Sequence, residues 1–127
     1  MRNGMQHNWK YWQSMAAREV DAVVSALPPP LRARAERLTV TLPLRPNAAL
    51  QADGIEADTL GLFIGMEFAQ EGSEAAPSQI ILFVENILDE AEGDERVFRD
   101  EIRKTFLHEL GHYLGLDEKE LEQRGLE

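Results

Sequence analysis

A length of 127 residues favours a single domain, residues 1–127, with enough chain to bury its own core. The excess of 23 acidic over 13 basic residues gives a formal charge of −10, which argues against nucleic acid and anionic membranes as partners because both attract basic proteins. Cysteine is absent, which excludes disulfides and thiolate metal sites. The sequence also has no apolar leader and no apolar run long enough to span a membrane, so we expect a soluble cytoplasmic protein.

The N-terminal half predicts helical segments followed by a strand. Apolar residues recur at threes and fours from Trp9 to Leu27, which indicates an amphipathic helix that three prolines end. Residues 31–37 form a basic connector of helical character. The alternation of apolar and polar β-formers from Leu38 to Leu42 predicts the first strand. Residues 44–57 carry turn-forming residues and are expected to be a long connection without a motif.

Two further apolar runs, Thr59–Ile64 and Gln79–Val84, predict strands that could pair as a wide hairpin around the polar residues 66–78. The carboxylate-rich stretch that follows lacks the spacing of a calcium loop, and we expect its acids near the positive start of the next helix. That helix is predicted from about Asp94 to Leu114. Its expected buried stripe consists of large apolar residues four positions apart: Phe98, Ile102, Phe106, Leu110 and Leu114.

The end of this helix carries the main candidate site. His108 and His112 lie four positions apart and face the same side of a helix, close enough for both imidazoles to bind one metal ion. Glu109 lies about 100° round the helix, near such an ion without binding it, where a general base for water belongs. Chance is a poor explanation, because a chain of this composition contains the pattern HExxH by accident about once in a hundred.

The residues after the histidine pair predict how a third ligand reaches the metal. Gly115 has the position of a left-handed residue that ends the helix. In a continuing helix, residue 118 would lie about 15 Å along the axis from His108, whereas a turn at Gly115 lets it fold back. Asp117 then fits the cap of a short last helix, which leaves Glu118 for the metal. Asp117 and Glu122 stay open as competitors for this role.

Residues 108–118 resemble the HExxHxxGxx(acid) signature of zincin metallopeptidases, and the chain around them resembles the small bacterial zincin-like metallopeptidase family. The likeness is strong over about the second half of the chain and is one of layout over the first half. It implies a minimal zincin-like α+β domain, in which a small, twisted mixed sheet packs on the N-terminal helix and the HExxH helix, followed by a short C-terminal helix. The family usually has Asp or Ser where this chain has Glu118.

The resemblance implies a zinc-dependent metallopeptidase. His108, His112 and Glu118 would bind Zn2+, and Glu109 would take a proton from the activated water and pass it to the leaving amine. One strand of the hairpin would be an exposed edge that binds a peptide or protein substrate as an extra strand. The alternatives are a non-catalytic peptide- or protein-binding module and a zinc hydrolase acting on a non-peptide substrate. Because little chain follows Gly115, we also expect that a protein partner could complete the cleft.

Overall fold

The protein is described by a computed structural model over residues 8–67, 78–116 and 118–123, without the side chains of residues 118, 121 and 122. In this part of the chain the helices are α1 (Trp9–Ala26), α2 (Pro29–Ala35), α3 (Ala48–Ala52), α4 (Val84–Glu90), α5 (Glu95–Tyr113) and α6 (Glu118–Gln123). The strands are β1 (Thr39–Thr41), β2 (Gly61–Ile64) and β3 (Gln79–Leu82). The predicted α+β class is confirmed. Among the described helices, none is long and apolar enough to cross a membrane.

The three strands form one mixed sheet in the order β1-β3-β2. β1 runs parallel to β3, with Thr39 opposite Gln79, and β2 runs antiparallel to β3, with Gly61 opposite Leu82. The predicted pairing of the second and third strands is therefore confirmed. Ile80 and Leu82 of the central strand are 0% exposed. Among the described residues, β2 forms one edge of the sheet.

The core lies between the sheet, α1 and α5. The predicted stripe on α5 is confirmed for its first four members, which are 0% exposed: Phe98, Ile102, Phe106 and Leu110. Leu114 is only partly buried. On the α1 side, the Trp12 ring meets the Phe98 ring edge to face, with 5.0 Å between centroids. Burial of each such side chain contributes about 1.5–3 kcal/mol, so this packing fixes the orientation of α5.

Local hydrogen bonds set both ends of α5. At its start, Asp94 Oδ1 accepts from the backbone N–H of Val97 at 2.9 Å, which makes Asp94 the N-cap. At its end, Gly115 adopts the left-handed conformation with φ +77°. The backbone N–H of Leu116 donates to the carbonyl of Gly111 at 2.9 Å, and the backbone N–H of Gly115 donates to the carbonyl of His112 at 3.0 Å. This pair of hydrogen bonds is a Schellman turn. The turn predicted at Gly115 is confirmed.

A short helix lies inside the segment that was expected to be a plain connection. Helix α3 occupies five of residues 44–57. It begins after Asn47, whose side chain accepts a hydrogen bond from the backbone N–H of Leu50 at 2.9 Å. The N-cap stabilises a single turn that propensity alone would leave marginal.

The prediction that the third strand extends to Val84 was wrong at its end. β3 stops at Leu82, and Val84 already begins helix α4. The acidic residues Asp89 and Glu90 accordingly lie in the last turn of α4 and not at the start of a helix. Asp89 Oδ2 is neutralised there by Arg45 Nη2 at 3.0 Å.

Candidate metal centre

The last turns of α5 bring three possible metal ligands together. His108, Glu109 and His112 each offer one ligand atom, and these atoms all lie within 4.8 Å of one another. His108 and His112 lie about 200° and 240° round the helix from the buried Phe106, so both imidazoles point away from the core. His108 and Glu109 are partly buried and His112 is exposed, so the cluster opens to solvent.

The two imidazoles have the spacing that one zinc ion requires. The Nε2 atoms of His108 and His112 are 3.2 Å apart. Two nitrogens bound to zinc at about 2.0–2.1 Å in tetrahedral geometry would be about 3.3–3.4 Å apart. Imidazole is also a ligand that suits zinc. The residues present therefore fit a zinc ion, with an adjustment of a few tenths of an ångström.

A cleft of about 420 Å³ adjoins the cluster between β2 and α5. Two of the residues that line it, His108 and Glu109, are candidate site residues predicted from the sequence. Within the described part of the chain, the lining consists of residues of α5, β2 and the residue before β2: Leu60, Gly61, Lys104, Thr105, His108 and Glu109. Lys104 could have been found from the sequence, because it lies four positions before His108 on the same helix face. The contribution of β2 depends on a tertiary contact that has no signal in the spacing.

Gly61 allows β2 to lie directly against α5. A β-carbon at Gly61 would be 2.6 Å from Thr105 Cγ2 and 3.4 Å from Glu109 Cγ. A separation below about 3.0 Å is essentially never seen for a β-carbon. The strand edge can therefore approach Glu109 this closely because residue 61 has no side chain.

The end of β2 is held by a buried hydroxyl. Ser78 is 1% exposed, and its Oγ donates to the carbonyl of Met66 at 2.8 Å and accepts from the Met66 backbone N–H at 3.2 Å. The next residue, Glu67, places its carboxylate Oε1 where a β-carbon on Gly115 would be 3.3 Å away. The chain after β2 thus meets the turn that ends α5. Glu67 could not be predicted from the sequence, because no spacing relates it to the histidines.

The other predicted site residues fall at or beyond the limit of the described chain. Glu118 begins α6, but its side chain, like that of Glu122, is outside the described part, as is Asp117. Glu118 as the third zinc ligand therefore stays a prediction. Tyr113, which follows the predicted ligand His112, is 0% exposed and packs against Phe63, with 5.9 Å between ring centroids.

Two histidines one helical turn apart, a glutamate between them and an adjacent edge strand define a zincin-type site. The sequence profile of the zincin-like metallopeptidase family matches residues 36–126, which is most of the chain. The protein therefore belongs to the zincin-like metallopeptidase family, whose members normally bind zinc. Helix α1 precedes the matched region, although it packs on α5. No curated protein matches the chain.

Proposed function

We propose that this protein hydrolyses peptide bonds with a zinc ion bound at the end of α5. The observation that carries the proposal is the convergence of the His108 and His112 Nε2 atoms, 3.2 Å apart, with a Glu109 carboxylate oxygen within 4.8 Å of both. A purely structural zinc site has no need for a base between its histidines. Membership of the zincin-like metallopeptidase family supports the same conclusion.

Each residue of the site has a distinct role in the proposed reaction. His108 and His112 hold the metal through Nε2, and Glu118 supplies a third, carboxylate ligand. A zinc ion held there supplies Lewis acidity towards water and a peptide carbonyl. Glu109 accepts a proton from the attacking water and then donates it to the nitrogen of the leaving amine, a contribution that is typically worth 10²–10⁴ in rate.

Strand β2 is proposed to bind the substrate as an added strand. One edge of β2 pairs with β3, and its other edge has no strand partner in the part of the chain that the structure describes. A peptide paired with that edge gains main-chain hydrogen bonds. It would also lie along the cleft that Gly61 shares with His108 and Glu109, so its backbone would pass the proposed base.

The test compares zinc-loaded wild type with Glu109→Gln on a mixed peptide library, with cleavage products identified by mass spectrometry. Glutamine fills the same space as glutamate but cannot accept the proton of water. We expect equal zinc content in the two proteins and a 10²–10⁴-fold loss of cleavage in the variant. Equal cleavage by both proteins would remove Glu109 from the mechanism, and no zinc-dependent cleavage by wild type would overturn the peptidase function.

His112 is exposed, which favours a second candidate function. In this function the chain alone captures peptides without cutting them, and the site is covered only when a protein partner binds. The same library distinguishes the two functions. Peptides that are retained intact to the same extent by wild type and by Glu109→Gln, only when zinc is bound, would support capture without hydrolysis.

A further inference from the structure

Among the described residues that line the cleft beside the metal centre, Lys104 carries the basic side chain of a lysine or arginine. We propose that it selects substrates that carry a carboxylate close to the bond to be cleaved. This inference rests on the proposed peptidase function and specifies the substrate class of the same site. The carboxylate belongs either to an aspartate or glutamate side chain or to the free C-terminus of a short peptide, since both present the same chemistry to an ammonium group.

The position of Lys104 sets where this carboxylate lies. Lys104 precedes His108 by four residues, which is about 6 Å along the axis of α5 and on the same face. An extended peptide advances about 3.3 Å per residue, so this separation corresponds to about two substrate residues. The ammonium group is carried on a flexible four-carbon stem. The ammonium group therefore reaches the first or second substrate residue beyond the peptide bond that is hydrolysed with Glu109 as the base.

Asp100 and Glu101 lie four and three positions before Lys104 on α5, but Asp100 already pairs with Arg103. Arg99 Nη2 is 3.0 Å from Glu95 Oε2, and Arg103 Nη2 is 2.7 Å from Asp100 Oδ1. Lys104 forms an ion pair with none of the carboxylates in the described ranges, although it is exposed on the same helix. Its charge is thus available to a ligand in the cleft.

Apart from Lys104 and the proposed metal ligand His108, the described lining of the cleft is uncharged except for one acid. Leu60, Gly61 and Thr105 contribute apolar or neutral surface, and the acid in the lining is the proposed base Glu109. The charge of −10 on the whole chain would repel an anion at long range. Exposed charges are largely screened beyond about 8 Å at physiological ionic strength, whereas a carboxylate in the cleft would contact Lys104 directly. Direct contact with Lys104 would therefore outweigh the long-range repulsion.

The experiment measures kcat/KM of the zinc-loaded protein for matched peptides that are cleaved at one bond. One set carries Glu, Gln or Lys at each of the two positions on either side of that bond, and the other ends in a free carboxylate or an amide. The variants are Lys104→Gln and Lys104→Arg. Lys10→Gln is the control, because it removes the same charge from an exposed position on α1 outside the cleft.

We expect wild type to prefer the carboxylate peptide about two- to fivefold over its amide counterpart, the size typical of an ion pair with an exposed lysine. The ratio should fall to about one in Lys104→Gln and persist in Lys104→Arg and Lys10→Gln. The Glu/Gln pair and the acid/amide pair identify the source of the carboxylate. Equal rates within every pair, or a preference that survives in Lys104→Gln, would overturn the role of Lys104 while hydrolysis stands. Failure of wild type to cleave any peptide would overturn the proposed function and this inference with it.

Discussion

A β-carbon on Gly61 would lie 2.6 Å from Cγ2 of Thr105, so strand β2 and helix α5 meet at a separation that glycine alone permits. We predict that Gly61→Ala lowers the free energy of unfolding by about 1–3 kcal/mol, the usual range for overpacking a closely packed contact. Thr105→Ser removes Cγ2, so the double variant should recover part of this loss. Urea denaturation of the four proteins measures the coupling between the two sites.

Thr105→Ser by itself is the control for this cycle, because it shows what the lost methyl group contributes without any change at residue 61. If Gly61→Ala destabilises the protein equally in both backgrounds, contact with Thr105 is not the cause. The carbonyl oxygen of Ile81, 3.4 Å from where the new β-carbon would lie, would then be the contact to test.

The histidine pair predicts one zinc ion per chain. His108→Ala and His112→Ala should each lower zinc affinity strongly, because each removes one of two nitrogens that are 3.2 Å apart. Zinc at about 100 times its dissociation constant should stabilise wild type by about 2.7 kcal/mol, seen as a rise in Tm that the variants lose. His7→Ala is the matched control, since the third histidine of the chain lies outside the ligand spacing. Equal zinc content in all four proteins would refute the site.

The third ligand can be identified by substituting two adjacent acids. We predict that Glu118→Ala sharply weakens zinc binding, whereas Asp117→Ala leaves the affinity nearly intact and lowers stability by about 1 kcal/mol through loss of a helix cap. Competitive zinc titration and thermal unfolding measure the two effects. The reverse pattern would move the ligand to Asp117. If neither variant loses affinity, Glu67 is the next acid to substitute, because its carboxylate lies beside Gly115.

A hydrogen bond between α1 and α5 predicts a raised pKa for Tyr11. The Tyr11 hydroxyl donates to Glu95 Oε1 at 2.6 Å. This bond, together with desolvation and the charge of Glu95, raises the pKa of Tyr11 above its ordinary value. Ultraviolet titration should show the shift as a difference between wild type and Tyr11→Phe, since the other tyrosine, Tyr113, is fully buried. An unchanged Tyr11 pKa in Glu95→Ala would show that the hydrogen bond is not its cause.

Because the pKa of Tyr11 is raised in the folded protein, the free energy of unfolding depends on pH near that pKa. The folded protein holds the Tyr11 proton more tightly than the unfolded chain, so the stabilisation is fully present below the ordinary tyrosine pKa of about 10. It is lost as the pH rises through the raised value. The stability difference between wild type and Tyr11→Phe should therefore shrink above pH 10 and be constant between pH 7 and 9.

Helix α5 could be predicted from the sequence because its signals are local. Asp94 caps its first turn, four large apolar residues recur every fourth position, and Gly115 ends it, so each boundary is encoded within a few residues. Helix α4 could not, because its boundary has no such signal. Phe83 occupies the N-cap position without a side-chain hydrogen bond, and the apolar run of β3 continues through Val84 into the helix.

The candidate site also consists of one part that local spacing predicts and another that depends on tertiary contacts. The His108 and His112 pair could be predicted because both residues lie on one helix, where spacing alone fixes the separation of the side chains. The other wall of the cleft comes from Leu60 and Gly61, more than 40 positions away in the sequence. Their contact with α5 depends on which strand forms the sheet edge, and the apolar runs that predict two strands do not determine their order.

The central position of β3 also determines when the sheet can form during synthesis of the chain. Neither β1 nor β2 pairs with the other, and each finds its strand partner in residues 79–82. The chain is made at about 5–20 residues per second, so β1 is complete several seconds before β3, its strand partner in the described part of the chain, has been made. During this interval the short length of β1 and the exposed Thr39 and Thr41 limit its tendency to pair with strands of other nascent chains.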